Sequence, residues 1–479
     1  MKRLFGTDGV RGRVGTELTA DIAFKLGRAA AGYYLERGAR RAILARDTRQ
    51  SGEMLQSAVS AGLLSVGVEP VDLGIAPTPA VSMLLAAGEC SPAFGVVISA
   101  SHNPYEDNGL KFFAPDGRKL SVAEEEALER RFWMSAELDA QDRSVTRVVR
   151  DPDRVSRYLR LIREKLDVPA GVGDAGTWGV SDADPVGGPL IRNTRLVIDA
   201  ANGAWSSHAR DLFSGLCSTI EWIAADPDGT NINAGCGSTH IESLDRHLDA
   251  SSIGLAFDGD GDRLLIRVLR PASRGIAAGR PVGHTIDGDA FLILFAMHTI
   301  QSGPVIGTVM SNGAVAAVLD SMGRPFERAP VGDREVFDLM EARAADLGGE
   351  QSGHMIFRRL AGGEEFQKTG DGAVTALVFL KLFAGKYGES IDALMADIPD
   401  PFPQKLVNLR VAEKRPWKND PELVSAIESA RIALGRHGRL VIRYSGTEPL
   451  LRIMAESPDA AAVEDQTAFL TDQFRRKLS

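Results

Sequence analysis

Between Thr19 and Gly38 the apolar residues Ile22, Phe24, Leu26, Ala29, Ala30, Tyr33 and Tyr34 recur at helical spacing, with Thr19 placed to start the helix and Gly38 to stop it. AILARD at 42–47 is then a short apolar run that predicts a strand, and Ser51 to Gly67 repeats the helical pattern. EPVDLG at 69–74 and FGVVIS at 94–99 predict two further strands. Strands alternating with helices imply βαβ units and a mostly parallel sheet. The same arrangement returns in LVIDAANG at 196–203 and GLAFDGDGD at 254–262, where buried-type strands run straight into small and acidic residues. These predict structural repeats with little sequence identity. In such sheets ligands bind at the carboxyl ends of the strands, so the polar tails of these strands are where chemistry is sought.

A chain of 479 residues is long enough for three or four domains. Gly, Asp and Pro are concentrated at 171–192 and again, with Arg, at 270–284, and both stretches predict surface loops or insertions. IPDPFP at 398–403 blocks helix and ladder alike and predicts a linker, followed by a separate small C-terminal domain. Gly171, Gly173 and Gly176 match GxGxxG, but no strand precedes them and no helix follows, so the dinucleotide fingerprint is dismissed.

The 44% hydrophobic and 25% charged content describes an ordinary globular chain. A net charge of -9 argues against a nucleic-acid partner, because neutralising phosphates needs clustered Lys and Arg. Cys90, Cys217 and Cys236 are scattered, odd in number and without CxxC spacing, so neither a disulfide framework nor a zinc site is expected. That usage fits a reducing cytoplasm. MKRLFGTDGV has no apolar core of a signal peptide, and no later stretch approaches the roughly 18 apolar residues of a membrane span. Neither export nor membrane insertion is expected.

The chemistry concentrates in a few stretches. DGDGDR at 258–263 sets Asp258, Asp260 and Asp262 at spacing two on one loop. Three such carboxylates repel unless a cation sits among them, and hard oxygen ligands suit Mg²⁺. A calcium EF-hand fails, since its sixth position would be Arg263 and its twelfth Leu269. An acidic Gly-rich turn is the plainer alternative, but the strand GLAF before it favours metal. RYSGTEPLLR at 443–452 gathers Arg443, Ser445, Gly446, Thr447 and Arg452, two guanidinium forks, two hydroxyls and a permissive glycine suited to a phosphate dianion. Ser445 and Glu448 have capping-box spacing, but Pro449 disfavours helix there, so a loop between strands is predicted. GGEQSGH at 348–354 places Glu350, Ser352 and His354 on alternate residues, which suits sugar hydroxyls, with a solvated turn equally open. FGTDGVRG at 5–12 sets Thr7, Asp8 and Arg11 among glycines, and VGDR at 331–334 adds an anion contact through Arg334.

VVISASHNPYEDNGLKFF at 96–113 opens as a strand and then exposes Ser99, Ser101, His102 and Asn103 before Asp107, Asn108 and Lys111. No GxSxG elbow is present, so Ser101 is not an acyl-transfer nucleophile of that kind, and His102 beside it points elsewhere unless the backbone bends. With Mg²⁺ on the DGDGD loop, Ser101 Oγ or a phosphate on it could complete the coordination and be poised for phosphoryl transfer.

ISASHNPYEDNGLKFF, DGDGDR, GEQSGH and RYSGTEP, in this order, resemble the α-D-phosphohexomutase family over essentially the whole chain. FGTDGVRG, DGTNINAGCGSTH at 228–240, GTVMSN at 307–312 and Gln351 within GEQSGH narrow the likeness to members that act on hexosamine phosphates. The resemblance implies four domains around a central cleft, three similar α/β domains with mixed, mostly parallel sheets plus a small α+β domain, with limits at 1–154, 155–258, 259–385 and 400–479. It implies an enzyme phosphorylated on Ser101, with one Mg²⁺ held by Asp258, Asp260, Asp262 and the phosphoserine. The implied reaction interconverts glucosamine 6-phosphate and glucosamine 1-phosphate through a sugar 1,6-bisphosphate, supplying UDP-N-acetylglucosamine synthesis. Arg11, His102, Lys111 and Arg263 match family positions beside the reacting phosphoryl group, with Lys111 and His102 as general acid and base. Glu350, Ser352 and His354 then read the sugar, and Arg443, Ser445, Gly446, Thr447 and Arg452 grip the phosphate that does not react. The resemblance allows a homodimer and gives Cys236 no chemistry. Its rivals are superfamily members acting on mannose or glucose phosphates, a non-catalytic sugar-phosphate sensor and a Mg²⁺-dependent phosphatase. The stretches 171–192, 270–284 and LAGGEEFQ at 360–367 depart from the family pattern and are expected to be surface elaboration.

Overall fold

The structure, a computed structural model, describes residues 3–6, 8–134, 146–167, 189–271, 281–300, 302–360, 363–411, 413–444 and 450–478. Most of the expected 171–192 insertion, residues 272–280, and Thr7, Ser445, Gly446 and Thr447 among the expected site residues lie outside these.

The first sheet contains β1 (Val10–Arg13), β2 (Arg41–Arg46), β3 (Glu69–Ile75), β4 (Ala93–Ile98), β5 (Asp107–Phe113) and β6 (Val149–Arg150), in the order β1-β5-β4-β2-β3-β6. Helix α1 (Ala20–Leu35) leads from β1 into β2; β2, β3 and β4 run parallel, joined through α2 (Gly52–Leu64) and α3 (Thr78–Ala86), and β6 lies parallel beside β3. β4, AFGVVI, is buried at every position, as a strand covered on both faces must be. Thr19 caps α1 as its position predicts, accepting the Ile22 N–H at 3.3 Å. Leu26, Ala30, Leu44, Val59, Phe94 and Val96 meet in one core between helices and sheet. β5 turns back antiparallel to β4, and β1 lies antiparallel to β5.

The second sheet holds β7 (Arg195–Asp199), β8 (Ile220–Ile223), β9 (Ser252–Phe257), β10 (Leu264–Pro271) and β11 (Pro281–Ile286), in the order β11-β10-β9-β7-β8. β8, β7 and β9 are parallel, and β10 turns back antiparallel to β9. The loop expected over 270–284 is contradicted at its two ends, its middle lying outside the described residues. β10 runs on to Pro271 and β11 resumes at Pro281, the two prolines paired in register at the end of an antiparallel ladder. Proline is tolerated there because β11 is an edge strand and Pro281 is its first residue.

The third sheet has β12 (Val305–Thr308), β13 (Phe326–Ala329), β14 (Leu347–Gly349) and β15 (Met355–Phe357), in the order β13-β12-β14-β15, with β12 and β14 parallel and β15 antiparallel to β14. The repeats anticipated from the strand pattern are therefore real. In each of the three sheets a strand from the parallel set is followed by an antiparallel return, and the connecting turns are 99–106, 258–263 and 350–354.

The last sheet is antiparallel throughout, β16 (Gln404–Arg410), β17 (Arg439–Tyr444) and β18 (Leu450–Glu456) in the order β16-β18-β17. Leu409, Ile427, Leu451, Ile453, Leu470 and Phe474 form its core with helices Pro421–Leu434 and Ala460–Leu478. By density of contacts the chain divides into two compact units, Met1–Val309 with Glu327–Leu394, and Met310–Phe326 with Met395–Ser479. No helix among the described residues is long and apolar enough to cross a membrane.

Candidate active site

Ser101 follows β4 with its backbone in the left-handed region at φ 51, unusual for a residue with a side chain. That bend answers the objection to a neighbouring histidine, because it brings His102 Nδ1 to 3.4 Å from Ser101 Oγ. The loop is held from below. Buried Asp47 accepts from the Ser99 hydroxyl and from Arg49 Nε at 2.9 Å, and Ser99 Oγ in turn accepts the Ser101 N–H at 2.9 Å. Arg49, fully buried, donates through Nη2 to the carbonyls of Ser101 at 2.9 Å and Asn103 at 2.8 Å, and through Nη1 to that of Pro104.

Ser101 Oγ donates to Asp258 Oδ2 at 2.6 Å, which joins the first expected site residue to the first of the three aspartates. Asp258, Asp260 and Asp262 are all buried, and one oxygen from each lies within 4.8 Å of the others. Their outer oxygens are already committed. Asp258 Oδ1 accepts the N–H groups of Gly261 at 3.0 Å and Arg263 at 3.2 Å, and Asp260 Oδ2 accepts from the Thr78 hydroxyl and from Lys111 Nζ at 2.7 Å. Asp260 Oδ1 and Asp262 Oδ1 are buried without a hydrogen-bond partner. Buried polar atoms are almost always satisfied, so two orphaned carboxylate oxygens beside a third that faces Ser101 fit a hard divalent cation such as Mg²⁺. The electrostatics agree. Burial, then Asp262 and Asp260, push the Asp258 carboxyl well above its usual range, whereas, against burial, Lys111 helps to hold Asp260 and Asp262 below theirs, so Asp258 is the carboxylate of the three with its charge least compensated.

Lys111, on β5, lies 2.7 Å from Asp260, 3.1 Å from Asp8 and 3.7 Å from Asp262. Burial works against its charge, but these carboxylates outweigh it and hold the ammonium above its ordinary value, so it stays protonated. Asp8 also pairs with Arg11 and with Lys119 at 2.6 Å; against burial, Lys111, Lys119 and Arg11 hold it well below the usual range. Arg11 further donates to the Ala100 carbonyl at 3.3 Å. Arg263 Nη1 lies 3.3 Å from His102 Nδ1, and burial followed by Arg263 and Arg11 lowers the His102 ring, keeping it neutral near pH 7.

His354, from the third sheet's turn, is buried with Nδ1 3.6 Å from Asp262 and Nε2 3.7 Å from Asp333. Burial lowers its ring and Asp262 raises it, with a net rise. The Gly370 N–H nonetheless donates to Nε2 at 2.8 Å, which only a ring unprotonated on that nitrogen can accept, so the geometry favours the neutral form with its proton on Nδ1 facing Asp262. Glu350 accepts the Gly332 N–H at 3.1 Å and is close enough to Arg263 and His354 to favour their charge. Ser352 Oγ is buried without a partner. Ser101, His102, Lys111, Arg11, Arg263, the three aspartates, Glu350, Ser352 and His354 thus belong to one unit.

Arg334 does not offer the free anion contact expected of it. Its guanidinium is taken by Glu125 at 2.8 Å, Glu335 at 3.3 Å and the Leu120 carbonyl at 3.3 Å. In the C-terminal unit, Arg443 and Arg452 are directly opposed in the register of β17 and β18, and Ser445, Gly446 and Thr447 lie outside the described residues. Cys236 is buried, and burial with Asp199 nearby pushes its thiol up to about 12, which leaves it inert as expected.

Residues 2–138 match alpha/beta/alpha domain I of the phosphoglucomutase/phosphomannomutase family, residues 287–402 its alpha/beta/alpha domain III, and residues 406–473 its C-terminal domain. A phosphoglucosamine mutase of Streptococcus thermophilus is 40% identical, the match covering 100% of this chain and 99% of that one. The chain belongs to the phosphoglucosamine mutase family. Relatives of the same name from Desulforudis audaxviator, 40% identical over 95% of this chain and 94% of its own, and Sphingopyxis alaskensis, 38% identical over 99% of both, agree. Phosphoglucosamine mutases are phosphotransferase isomerases, and the chain is an enzyme of that class. Its fold is shared with a phosphoglucomutase/phosphomannomutase family protein from Burkholderia thailandensis, with TM-score 0.72, 24% identity and coverage of 99% and 96% of the two chains. It is shared too with Aspergillus fumigatus N-acetylphosphoglucosamine mutase, solved in complex with GlcNAc-6P and magnesium, with TM-score 0.60, 17% identity and coverage of 99% and 96%.

Sequence reasoning passed over Asp47, Arg49, Thr78, Lys119 and Asp333. Asp47 and Arg49 stand at the carboxyl end of β2, so the strand-end search could have found them. Thr78 heads a helix after Pro77 and carries no pattern of its own.

Proposed function

We propose that the chain interconverts glucosamine 6-phosphate and glucosamine 1-phosphate, carrying the phosphoryl group on Ser101. The sugar's free O1 hydroxyl attacks the phosphorus and gives up its proton, the bond from phosphorus to Ser101 Oγ breaks, and Ser101 Oγ takes up a proton, so that none is gained or lost overall. The resulting 1,6-bisphosphate turns over, and its 6-phosphoryl group returns to Ser101, releasing the 1-phosphate. The reading is carried by the 2.6 Å contact between Ser101 Oγ and Asp258 inside a buried cluster of three carboxylates. Asp258, Asp260 and Asp262, with the Ser101 phosphate, would hold Mg²⁺, which supplies charge neutralisation to the transferring phosphoryl group.

The protein's own groups divide the remaining work. Arg11 and Arg263 neutralise phosphoryl oxygens, and the burial of Ser101, Lys111 and the three aspartates limits water at the reacting group. Lys111 and His102 handle protons, neutral His102 at the Ser101 oxygen and protonated Lys111 as the donor among the aspartates. Glu350, Ser352 and His354 read sugar hydroxyls, and Arg443, Ser445, Gly446, Thr447 and Arg452 take the phosphate that is not reacting. The functional domains in this reading are 1–154, 155–258, 259–385 and 400–479.

The test is turnover by purified protein with Mg²⁺ and catalytic glucose 1,6-bisphosphate. Glucosamine 6-phosphate should be preferred over glucose and mannose 6-phosphates by about tenfold or more in kcat/KM. A preference for glucose or mannose phosphates overturns the sugar assignment, and net phosphate release would show a phosphatase instead. Ser101→Ala should fold and be inactive, and EDTA should abolish an activity that Mg²⁺ restores.

A further inference from the structure

DGTNINAGCG at 228–237 supplies none of the groups assigned above, yet its Asn233 reaches into the Ser101 loop. Asn233 Nδ2 donates to the carbonyl of Ser101 at 2.9 Å and to that of Asn103 at 3.2 Å. These are the two carbonyls that Arg49 also holds, so the peptide units flanking His102 are gripped from two directions. Arg49 belongs to the first sheet's own chain segment; Asn233 comes from the segment between β8 and β9, which precedes the aspartate loop.

A third contact fixes the spot. A methyl group placed on Gly259 would lie 2.6 Å from the Ser101 carbonyl oxygen and 2.7 Å from Asn233 Nδ2, closer than real contacts allow. The serine loop, the Asn233 amide and the backbone of the aspartate loop therefore meet at one point with no room for a side chain. Asn233 is 7% exposed and itself left-handed at φ 58, a conformation asparagine tolerates, with its N–H donating to the Ala201 carbonyl at 2.9 Å. Only the amide NH₂ can face two carbonyl oxygens, which assigns the side chain's orientation.

We propose that Asn233 is a positioning residue that sets the separation of Ser101 Oγ from the Asp258–Asp262 loop, and so presents the phosphoryl group on Ser101 in register with the cation. The proposal rests on Ser101 as the phosphoryl carrier. Phosphoryl transfer depends on positioning far more than on covalent chemistry, and a misplacement of about 1 Å costs on the order of 100-fold. A left-handed serine returns to an unproductive backbone unless something holds it, and the Asn233 amide is part of that hold.

Two substitutions separate the amide from the backbone. Asn233→Asp keeps size and tolerance of the left-handed region but turns the donor into an acceptor, and Asn233→Gly removes the amide with no steric cost in that region. Phosphoryl incorporation on Ser101 from glucose 1,6-bisphosphate is followed by intact mass, alongside kcat and KM for glucosamine 6-phosphate and the thermal midpoint. Both variants should incorporate phosphoryl and turn over about 10- to 100-fold more slowly, with KM changed by less than about threefold. If either folded variant incorporates phosphoryl within about twofold of the parent rate, Asn233 serves stability alone and the proposal falls. Should Asn233→Gly fail to fold, Asn233→Asp decides. A parent enzyme that takes up no phosphoryl group would instead overturn Ser101 as carrier, and the role of Asn233 with it.

Discussion

Asp260 Oδ2 is claimed by both the Thr78 hydroxyl and Lys111, which leaves buried Oδ1 as the oxygen offered to a cation. Thr78 is anchored in turn, its N–H donating to the Asp260 carbonyl at 2.9 Å from the first turn of α3. A ligand whose second oxygen is pinned loses little freedom on binding metal, and removing such outer partners typically costs about 10- to 100-fold in affinity. Thr78→Val should therefore weaken Mg²⁺ binding by about that factor, whereas Thr78→Ser should stay within a few-fold, both read by isothermal titration of the metal. An unchanged affinity in Thr78→Val would show that Lys111 alone orients Asp260. The three aspartates were legible in the sequence because their spacing is itself the signal. Thr78 was not, because its contact spans 182 positions and no local pattern records it.

At the scale of elements, apolar runs located β2, β3, β4, β7 and β9, all members of parallel sets, but not the strands that turn back beside them. β5, β10 and β15 read like any buried or half-buried strand, yet each returns antiparallel and makes the turn before it a site loop. The ends of the 270–284 stretch differ from the expected loop for a related reason: glycine and proline suggest a loop, while the ladder persists to a proline on each side. The link between helices Arg154–Leu166 and Gly372–Gly385 is of the same hidden kind. Tyr158 donates to Asp371 Oδ2 at 2.8 Å, and Asp371 caps the second helix through the N–H groups of Ala373 at 2.9 Å and Val374 at 3.2 Å. Burial pushes the Asp371 carboxyl from 3.8 to about 6, with Tyr158 and the two N–H groups pulling the other way. Its folded value exceeds its unfolded one, so across that window the folded chain holds the extra proton, and this group's contribution to stability falls as pH rises, then levels off. Tyr158 favours the ionised form. Tyr158→Phe should therefore destabilise by about 1–3 kcal/mol at pH 8 and by clearly less at pH 5, measured by urea unfolding. Equal losses at both pH values would mean that Asp371 does not titrate in this range.

Across the whole molecule, the two compact units divide after Leu394, with IPDPFP inside the second, and the excursion of Met310–Phe326 into that unit was invisible in the sequence. A helix between two strands, as Gly313–Ser321 is between β12 and β13, reads as an ordinary crossover of the sheet it leaves. What recruits it is Glu456, buried at the end of β18. Its Oε1 accepts the Gly313 N–H at 2.8 Å, and its Oε2 accepts Asn312 Nδ2 at 3.1 Å and Arg439 Nη2 at 3.4 Å. Asn312 completes the knot, donating to the Phe402 carbonyl at 3.2 Å and accepting the Phe402 N–H at 2.9 Å. Glu456→Ala removes a buried acceptor at a helix N-terminus, and a donor stranded in this way costs about 1–3 kcal/mol. Expressed as opening of the Gly313–Ser321 helix, that is roughly a 5- to 150-fold rise in amide hydrogen exchange over those residues. Strands β2 and β4 should exchange as before, because their protection comes from the first sheet's own core. Glu456→Gln, which keeps a carbonyl acceptor, should fall between the two. If exchange rose equally in β2 and β4, or not at all in 313–321, Glu456 would not be the residue that ties this helix to the C-terminal unit.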